Sequence, residues 1–144
     1  MEKFKKLLKE IRRDYDTWVP VYCPAIREYV FFSAAGFGHL RFNTDGTPRN
    51  PKEQMYKLGL LPLVRPAIHT AVRVEEYQRR LSPIRNKKKN GSKIMKEVDY
   101  WAVMSVVGQR NAKIRVILRK IGTGRIHFWS VMKLAENQKS PPSL

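Results

Sequence analysis

The chain has 144 residues, with 29 lysines and arginines against 12 acidic residues, and a formal net charge of +17 at pH 7. This length suits one domain with its own core, and a hydrophobic content of 42% excludes wholesale disorder. One cysteine, Cys23, excludes an intramolecular disulfide framework and suits a reducing compartment. No apolar run reaches the roughly 20 residues that span a bilayer, and no apolar signal-peptide core follows the basic N-terminus. We therefore expect a cytoplasmic protein without a membrane partner.

The distribution of the charge indicates a polyanionic partner. From Tyr100 to Ala135 the sequence contains seven basic residues and no acidic one, and residues 85–96 contain six basic residues and no acidic one. Nucleic acid is the commonest partner of so basic a small chain. The alternatives are a solvated, highly soluble surface and an anionic lipid surface.

In the first part of the chain, residues 2–15 predict an amphipathic helix whose apolar stripe packs on the core, with a membrane-surface helix as the alternative. The stripe consists of Phe4, Leu7, Leu8, Ile11 and Tyr15. Residues 17–24 contain two prolines and predict a connector, and residues 28–33 predict a short strand. Residues 34–42 predict either a short helix with His39 near its start or a loop that presents His39.

The clearest local signal is the helix start at residues 50–53. Asn-Pro-Lys-Glu combines an N-cap, a proline at the first helical position and a capping-box glutamate. We expect this helix to end near Leu58, with Gly59 as its C-terminal stop. Pro62 and Pro66 then predict a turn and a second short helix.

The second part of the chain predicts four strands: residues 72–81, residues 97–107 and the two arms of a hairpin over residues 111–133. Residues 82–93 predict a mobile basic loop. The expected fold is therefore α+β, with N-terminal helices packed on a four-stranded antiparallel meander sheet. We expect a single nuclease-like domain over residues 1–136 and a flexible tail over residues 137–144.

The hairpin carries the predicted site. Ile114, Val116 and Leu118 alternate with Lys113, Arg115, Ile117 and Arg119, which is the pattern of a half-buried strand. Gly122 and Gly124 supply the positive φ of a tight turn. A regular return strand would place Ile126, Phe128, Ser130 and Met132 on one face, and His127, Trp129 and Val131 on the other. The hairpin thus predicts a basic, partly aromatic face opposite the core.

The order of elements resembles the barnase–colicin D–RelE type of metal-independent ribonuclease, and its phage and toxin members in particular. The segment Gly-Phe-Gly-His-Leu-Arg-Phe and the strand His-Phe-Trp-Ser-Val-Met resemble the His-containing segment and last strand of that group. The resemblance covers roughly residues 30–132. It implies RNA cleavage through attack of the 2′-hydroxyl, a cyclic phosphate product, RNA (tRNA among the candidates) as substrate, and an acidic antidote or immunity protein as partner.

Such chemistry needs a group that takes the 2′-hydroxyl proton, a group that protonates the leaving oxygen, and cations for the phosphorane charge. His39 is the first candidate for a proton role and His127 the second, because imidazole titrates near neutrality. Arg115 and Arg119 are the best candidates for phosphate binding, and the alternative is a solvated strand face. In a regular strand Ser130 faces away from His127, so it joins the site through a bulge or if its own face is open. The predicted catalytic set is His39, His127, Arg115 and Ser130.

The predicted RNA-binding set is Arg41, Arg79, Lys113, Arg119 and Trp129. Trp129 and Trp101 are candidates for base stacking, with core packing as the alternative. The histidines and Cys23 form no zinc-ligand spacing, so we expect neither metal nor cofactor. A non-catalytic nucleic-acid-binding module that uses the same basic face is the alternative function.

Overall fold

The computed structural model describes residues 2–87, 91, 93–135 and 144. Its elements are α1 (Glu2–Tyr15), β1 (Val21–Cys23), β2 (Glu28–Val30), α2 (Ala34–Arg41), α3 (Pro51–Thr70), β3 (Val74–Lys87), β4 (Lys93–Val107), β5 (Ala112–Ile121) and β6 (Ile126–Leu134). The last four strands form one antiparallel sheet in the order β3-β4-β5-β6, with the helices packed against it. The predicted α+β class and the meander order are therefore confirmed.

The two faces of the sheet have different neighbours. On the first face Val103, Val116 and Leu118 pack into the main core together with the helices. On the second face Tyr100, Ala102 and Ile117 belong to a smaller apolar cluster. Strand β4 lies inside the sheet and contributes buried residues to both faces.

Helix α1 spans the predicted residues, and its apolar stripe packs on the main core. Phe4, Leu8 and Ile11 lie against that core, and Tyr15 is buried. The Tyr15 hydroxyl donates to the Ser33 carbonyl at 2.7 Å, which links the end of α1 to the start of α2. In the described part of the chain, no helix combines the length and apolar character that crossing a membrane requires.

Helix α3 departs from the prediction, because it continues through Gly59 and both prolines to Thr70. Its start is as predicted, since the Asn50 side chain accepts from the Glu53 amide at 2.8 Å. The prediction of a stop at Leu58 was wrong. Each proline removes only one backbone hydrogen-bond donor, and the buried side chains along the whole of α3 outweigh that loss. Those side chains include Leu58, Leu61, Val64 and Ile68.

Two further predictions were wrong at their boundaries. Residues 21–23 of the predicted connector pair with β2 in a separate two-stranded sheet. The predicted loop over residues 82–93 is largely strand, because β3 extends to Lys87 and β4 begins at Lys93. Pro83 fits in β3 because β3 is an edge strand of the four-stranded sheet. Residues 88–90 and 92 of that loop, and residues 137–143 of the predicted tail, lie outside the described residues.

A β-bulge in β6 decides which side chains share the second face. Leu118 and Ile117 are consecutive in β5 and pair with Phe128 and Ser130. Trp129 is therefore an extra, unpaired residue between these two partners in β6. His127 and Ser130 consequently lie on the same face, while Phe128 and Val131 are buried in the main core. The face assignment made for a regular strand was therefore wrong from Ser130 onwards, while Trp129 lies on the same face as His127, as predicted.

Helix α2 and the segment before it lie along β6. Phe31 donates its amide to the Ile126 carbonyl at 2.9 Å, and Phe128 donates its amide to the Phe31 carbonyl at 2.8 Å. A methyl group built on Gly36 would overlap the Phe128 carbonyl oxygen, so α2 approaches β6 more closely than any other residue type at position 36 allows. This contact brings His39 beside the bulge.

Candidate functional site

His39 lies in the last turn of α2, not near its start, and its ring stacks on Trp129. The two ring centroids are 4.2 Å apart and the planes differ by 13°. Arg49 holds the histidine from the loop before α3, because its Nε donates to the His39 carbonyl at 3.0 Å and its Nη2 lies 3.5 Å from His39 Nε2. The bulged tryptophan is thus the platform on which the histidine is positioned.

Arg119 contacts the same tryptophan from β5. Its guanidinium carbon lies 4.0 Å from the Trp129 ring centroid, and the residue is paired across the strands with His127. The residue is 6% exposed, and its Nε has no hydrogen-bond partner among the described residues. No described carboxylate lies within ion-pair distance of it. Among the described residues, Arg119 is therefore a buried positive charge without a compensating negative one.

Lys57 adds a second buried cation. It is 8% exposed, and its ammonium donates to the Val131 carbonyl at 3.1 Å and to the Ser130 Oγ at 3.3 Å. Burial, and then the charge of Arg49, lower the pKa of Lys57. Sequence reasoning missed this residue. Lys57 could have been recognised because it lies on the same helix face as the buried residues Gln54 and Leu61 of α3. The predicted end of the helix at Gly59 separated Lys57 from Leu61 and hid this spacing.

We call this constellation the Trp129 cluster, and its members are His39, Arg49, Lys57, Arg119, His127, Trp129 and Ser130. The predicted residues His39, His127, Ser130, Arg119 and Trp129 are brought together, and Arg49 and Lys57 are the members that the sequence did not reveal. Ser130 joins the cluster through the bulge at Trp129. Among the described residues, the carboxylate that forms an ion pair with these cations is the exposed Glu53, which binds Arg49 at 2.7 Å.

Both histidines of the cluster are neutral at pH 7. Burial, followed by the charges of Arg49, Lys57 and Arg119, lowers the pKa of His39 to about 4. Burial, followed by Arg119, lowers the pKa of His127 to about 4. His127 Nε2 is buried without a hydrogen-bond partner among the described residues. Lys57 and Arg119, which have no described carboxylate within ion-pair distance, create a positive potential beside the neutral imidazoles that favours an anion.

Arg115 lies outside the cluster, and the prediction that it belongs to an open basic face was wrong. The side chain is 1% exposed and forms ion pairs with Glu75 at 3.1 Å and with Glu76 at 2.9 Å. The bulge in β3 between Val74 and Glu76 directs the two carboxylates towards it. A strand pattern specifies the face on which Arg115 lies but not the acidic residues that β3, on the other side of β4, brings over it.

The remaining predicted residues also lie apart from the cluster. Arg79 binds Asp99 at 2.9 Å on the far edge of the sheet, and Lys113 lies at the opposite end of β5 from Arg119. Trp101 packs against the main core beside Tyr77. Arg41 is on α2 but contacts Gln54 and the ring of Phe42.

The chemistry available to the Trp129 cluster is anion binding combined with proton transfer. Arginine binds phosphate oxygens with its fork of donors, and a neutral imidazole accepts a proton. Among the described residues, no three His, Cys, Asp or Glu side chains lie close enough to hold a metal ion.

Comparison with other proteins adds no relative to this picture: no family model, curated protein or solved structure matches the chain.

Proposed function

We propose that this protein binds RNA and cleaves it as a metal-independent endoribonuclease, with the Trp129 cluster as its active site. The observation that carries the proposal is the buried, uncompensated Arg119 beside two neutral histidines. A buried cation without a negative partner costs several kcal/mol in a protein interior. A bound phosphate would remove that cost, and the net charge of +17 would attract the rest of the polyanion.

In the proposed reaction, His39 takes the proton of the 2′-hydroxyl. The 2′-oxygen then bonds to phosphorus, and the bond from phosphorus to the 5′-oxygen breaks. Lys57 donates a proton to the leaving oxygen, for which its lowered pKa suits it. The products are a 2′,3′-cyclic phosphate and a 5′-hydroxyl. A bound phosphate also raises the pKa of His39, because a nearby negative charge favours the protonated imidazole.

Arg119 and Ser130 have supporting roles in this proposal. Arg119 stabilises the charge of the phosphorane, which is the kind of interaction whose removal costs enzymes most. The Ser130 hydroxyl accepts a hydrogen bond from Lys57 and so orients the ammonium. His127 is the second candidate for a proton role, because it lies across the strands from Arg119.

The resemblance to the barnase–colicin D–RelE group supports the same reaction and also suggests a compartment, a substrate and a partner protein. A toxin-like ribonuclease would act in the cytoplasm, where the single cysteine stays reduced. It would take tRNA or another cellular RNA as substrate and bind an acidic antidote protein. The second candidate function is a nucleic-acid-binding module without catalysis, favoured by the high net charge.

The test is incubation of the pure protein with end-labelled tRNA and total RNA in excess chelator. We expect fragments that end in 2′,3′-cyclic phosphates. Salt-sensitive binding without any cleavage would refute the enzyme and support the binding module.

Single alanine substitutions then identify the residues that transfer protons. His39→Ala is expected to lower kcat by about 10²–10⁴-fold, which is the range for loss of general acid–base catalysis. His127→Ala tests the second histidine, and His69→Ala is the matched control because His69 lies exposed at the end of α3. Full activity in both the His39 and His127 variants would refute the proposed site.

A further inference from the structure

A second basic concavity lies between α1 and α2, on the other side of α2 from His39. It encloses about 440 Å³. Its lining consists of Leu8, Lys9, Arg12, Arg13, Asp16, Phe37 and Arg41. We call it the α1–α2 groove.

The groove has an excess of positive charge. Arg12 is neutralised by Asp16 at 3.0 Å, and its guanidinium lies 4.9 Å from the Phe37 ring centroid. The other three cations, Lys9, Arg13 and Arg41, have no described carboxylate within ion-pair distance. Leu8 and Phe37 form the floor of the groove, where Phe37 is buried beneath the Arg12 guanidinium. What the groove presents is therefore positive charge, which matches a partner with several closely spaced phosphates.

The groove is connected to the Trp129 cluster by hydrogen bonds. Arg41 Nε lies 3.4 Å from the Gln54 side-chain oxygen, and Gln54 Nε2 donates to the Arg49 carbonyl at 2.7 Å. Arg49 in turn holds His39. Arg41 and His39 are two residues apart on α2, and therefore point about 200° apart around the helix.

We propose that the α1–α2 groove binds backbone phosphates of the same single-stranded RNA whose scissile phosphate lies in the Trp129 cluster. This inference rests on the proposed function, because it assigns the groove to that substrate. RNA crossing α2 would place one phosphate against Arg119 and neighbouring phosphates against Lys9, Arg13 and Arg41. The groove would thus bind flanking nucleotides and contribute affinity without sequence readout.

An anionic membrane is the other polyanion that a basic helix can bind, and the structure favours RNA. A membrane-surface helix needs a free apolar face that enters the lipid. In α1 that face is occupied, because Phe4, Leu8, Ile11 and Tyr15 pack against the core.

The experiment compares two charge reversals on the same helix. The variant Lys9→Glu/Arg13→Glu changes the groove, and the control Lys3→Glu/Lys6→Glu makes the same change in net charge at positions outside the lining. Affinity for a fluorescein-labelled single-stranded RNA of about 12 nucleotides is measured by anisotropy in chelator over a range of salt concentrations. Circular dichroism and thermal melting establish that both variants are folded.

We expect the groove variant to bind this RNA at least about tenfold more weakly, and its log–log salt dependence to be shallower by about 0.7 for each phosphate that it no longer binds. The affinity advantage of this RNA over a dinucleotide should shrink in the groove variant and not in the control. Equal losses of affinity in the two variants would overturn the groove assignment. The assignment would also be overturned if the groove variant lost binding to phosphatidylserine vesicles but kept its affinity for RNA.

The outcomes separate this inference from the proposed function. Cleavage by the wild type with equal RNA affinity in the two variants overturns the groove alone. Binding that depends on the groove without cleavage overturns the enzyme and supports the groove. Absence of RNA binding by the wild type overturns both.

Discussion

Two arginines on one strand face show how differently this protein treats a buried charge. Arg115 and Arg119 are four residues apart on β5 and are 1% and 6% exposed. Arg115 is held by two carboxylates, Glu75 and Glu76. Arg119 has aromatic neighbours instead, with Trp129 at 4.0 Å and Tyr100 at 5.8 Å, and no described carboxylate within ion-pair distance.

Under the proposed function, this difference distinguishes a cation that stabilises the fold from one that binds the substrate. In a buried ion pair with good hydrogen bonds, the attraction between the charges offsets the cost of removing them from water. The opposite charges also cancel, so little net electric field acts on a ligand. A buried cation beside aromatic rings recovers only about 1–2 kcal/mol from cation–π contact, so its field remains available to an incoming anion. A buried cation of this kind is a candidate for a functional site. Under the proposed function, Arg115 is therefore a packing residue and Arg119 is the residue that binds the anion.

The largest expected effect is on activity. Arg119→Met should lower kcat/KM for RNA cleavage by about 10²–10³-fold, as does removal of one oxyanion-stabilising donor. Its free energy of unfolding should stay within about 1 kcal/mol of the wild type, because relief from burying a charge offsets the removal of the cation–π interactions. Steady-state kinetics and urea unfolding measure the two quantities. A variant with a much lower free energy of unfolding but an unchanged specific activity would reverse the assignment.

Arg115→Met should show the opposite balance. Loss of the arginine leaves Glu75 and Glu76 side by side without their shared cation, and we expect a loss of about 3 kcal/mol in the free energy of unfolding. Urea unfolding checks the value. Below the unfolding transition, specific activity should remain within about twofold of the wild type. A stable variant with a roughly hundredfold loss of kcat/KM would restore Arg115 to the catalytic set.

The stability of the protein should fall as the pH is lowered from 6.5 towards 4. In that range the unfolded histidines bind protons that His39 and His127 exclude in the folded state, since their folded pKa values are about 4. Each histidine contributes a slope of up to about 1.4 kcal/mol per pH unit. Urea unfolding at several pH values measures the slope.

Variants sharpen the pH prediction. His39→Gln/His127→Gln should flatten the dependence, while the exposed-site control His69→Gln should leave it unchanged. Arg119→Met should reduce the slope, because Arg119 lowers the pKa of both histidines. Arg115→Met should not, because Arg115 is not among the causes of either shift. An identical slope in the double variant would contradict the assigned protonation states.

The smallest effects are expected at the predicted cations that lie away from both arginines. Arg79→Gln and Lys113→Gln each remove one positive charge from a chain with a net charge of +17. Each should lower RNA affinity by less than about threefold through the general electrostatic term. Anisotropy at fixed salt measures this change. A roughly tenfold decrease in either variant would mean that RNA extends along the whole sheet.

Much of the fold follows from local patterns. The alternation over residues 113–119 predicted β5, and the glycines after it predicted the turn, where Gly122 has φ 54°. The Asn50 cap predicted the start of α3. These signals are local, because side-chain alternation and capping depend on residues close in sequence. Gly59 and the two prolines misled the prediction of where α3 ends, since core packing along the helix outweighs the two missing backbone donors.

The candidate site was predicted in part, and the errors concern contacts that residues close in sequence do not determine. The histidines, Arg119, Ser130 and Trp129 were recognised by residue type. Their grouping depended on the bulge at Trp129, which shifts the face of every later residue in β6. Lys57 was missed because its partner atoms belong to β6, more than 70 residues further along the chain.

By itself, then, the sequence determined the basic character of this protein, its α+β class and its closing hairpin, because composition and periodicity act through neighbouring residues. Only the tertiary structure decided that Arg115 is neutralised by Glu75 and Glu76, and that Arg119 has no such partner in the part of the chain that the structure describes. The physical reason is that burial and charge compensation depend on what other strands bring within a few ångströms. Strand periodicity carries no information about those neighbours.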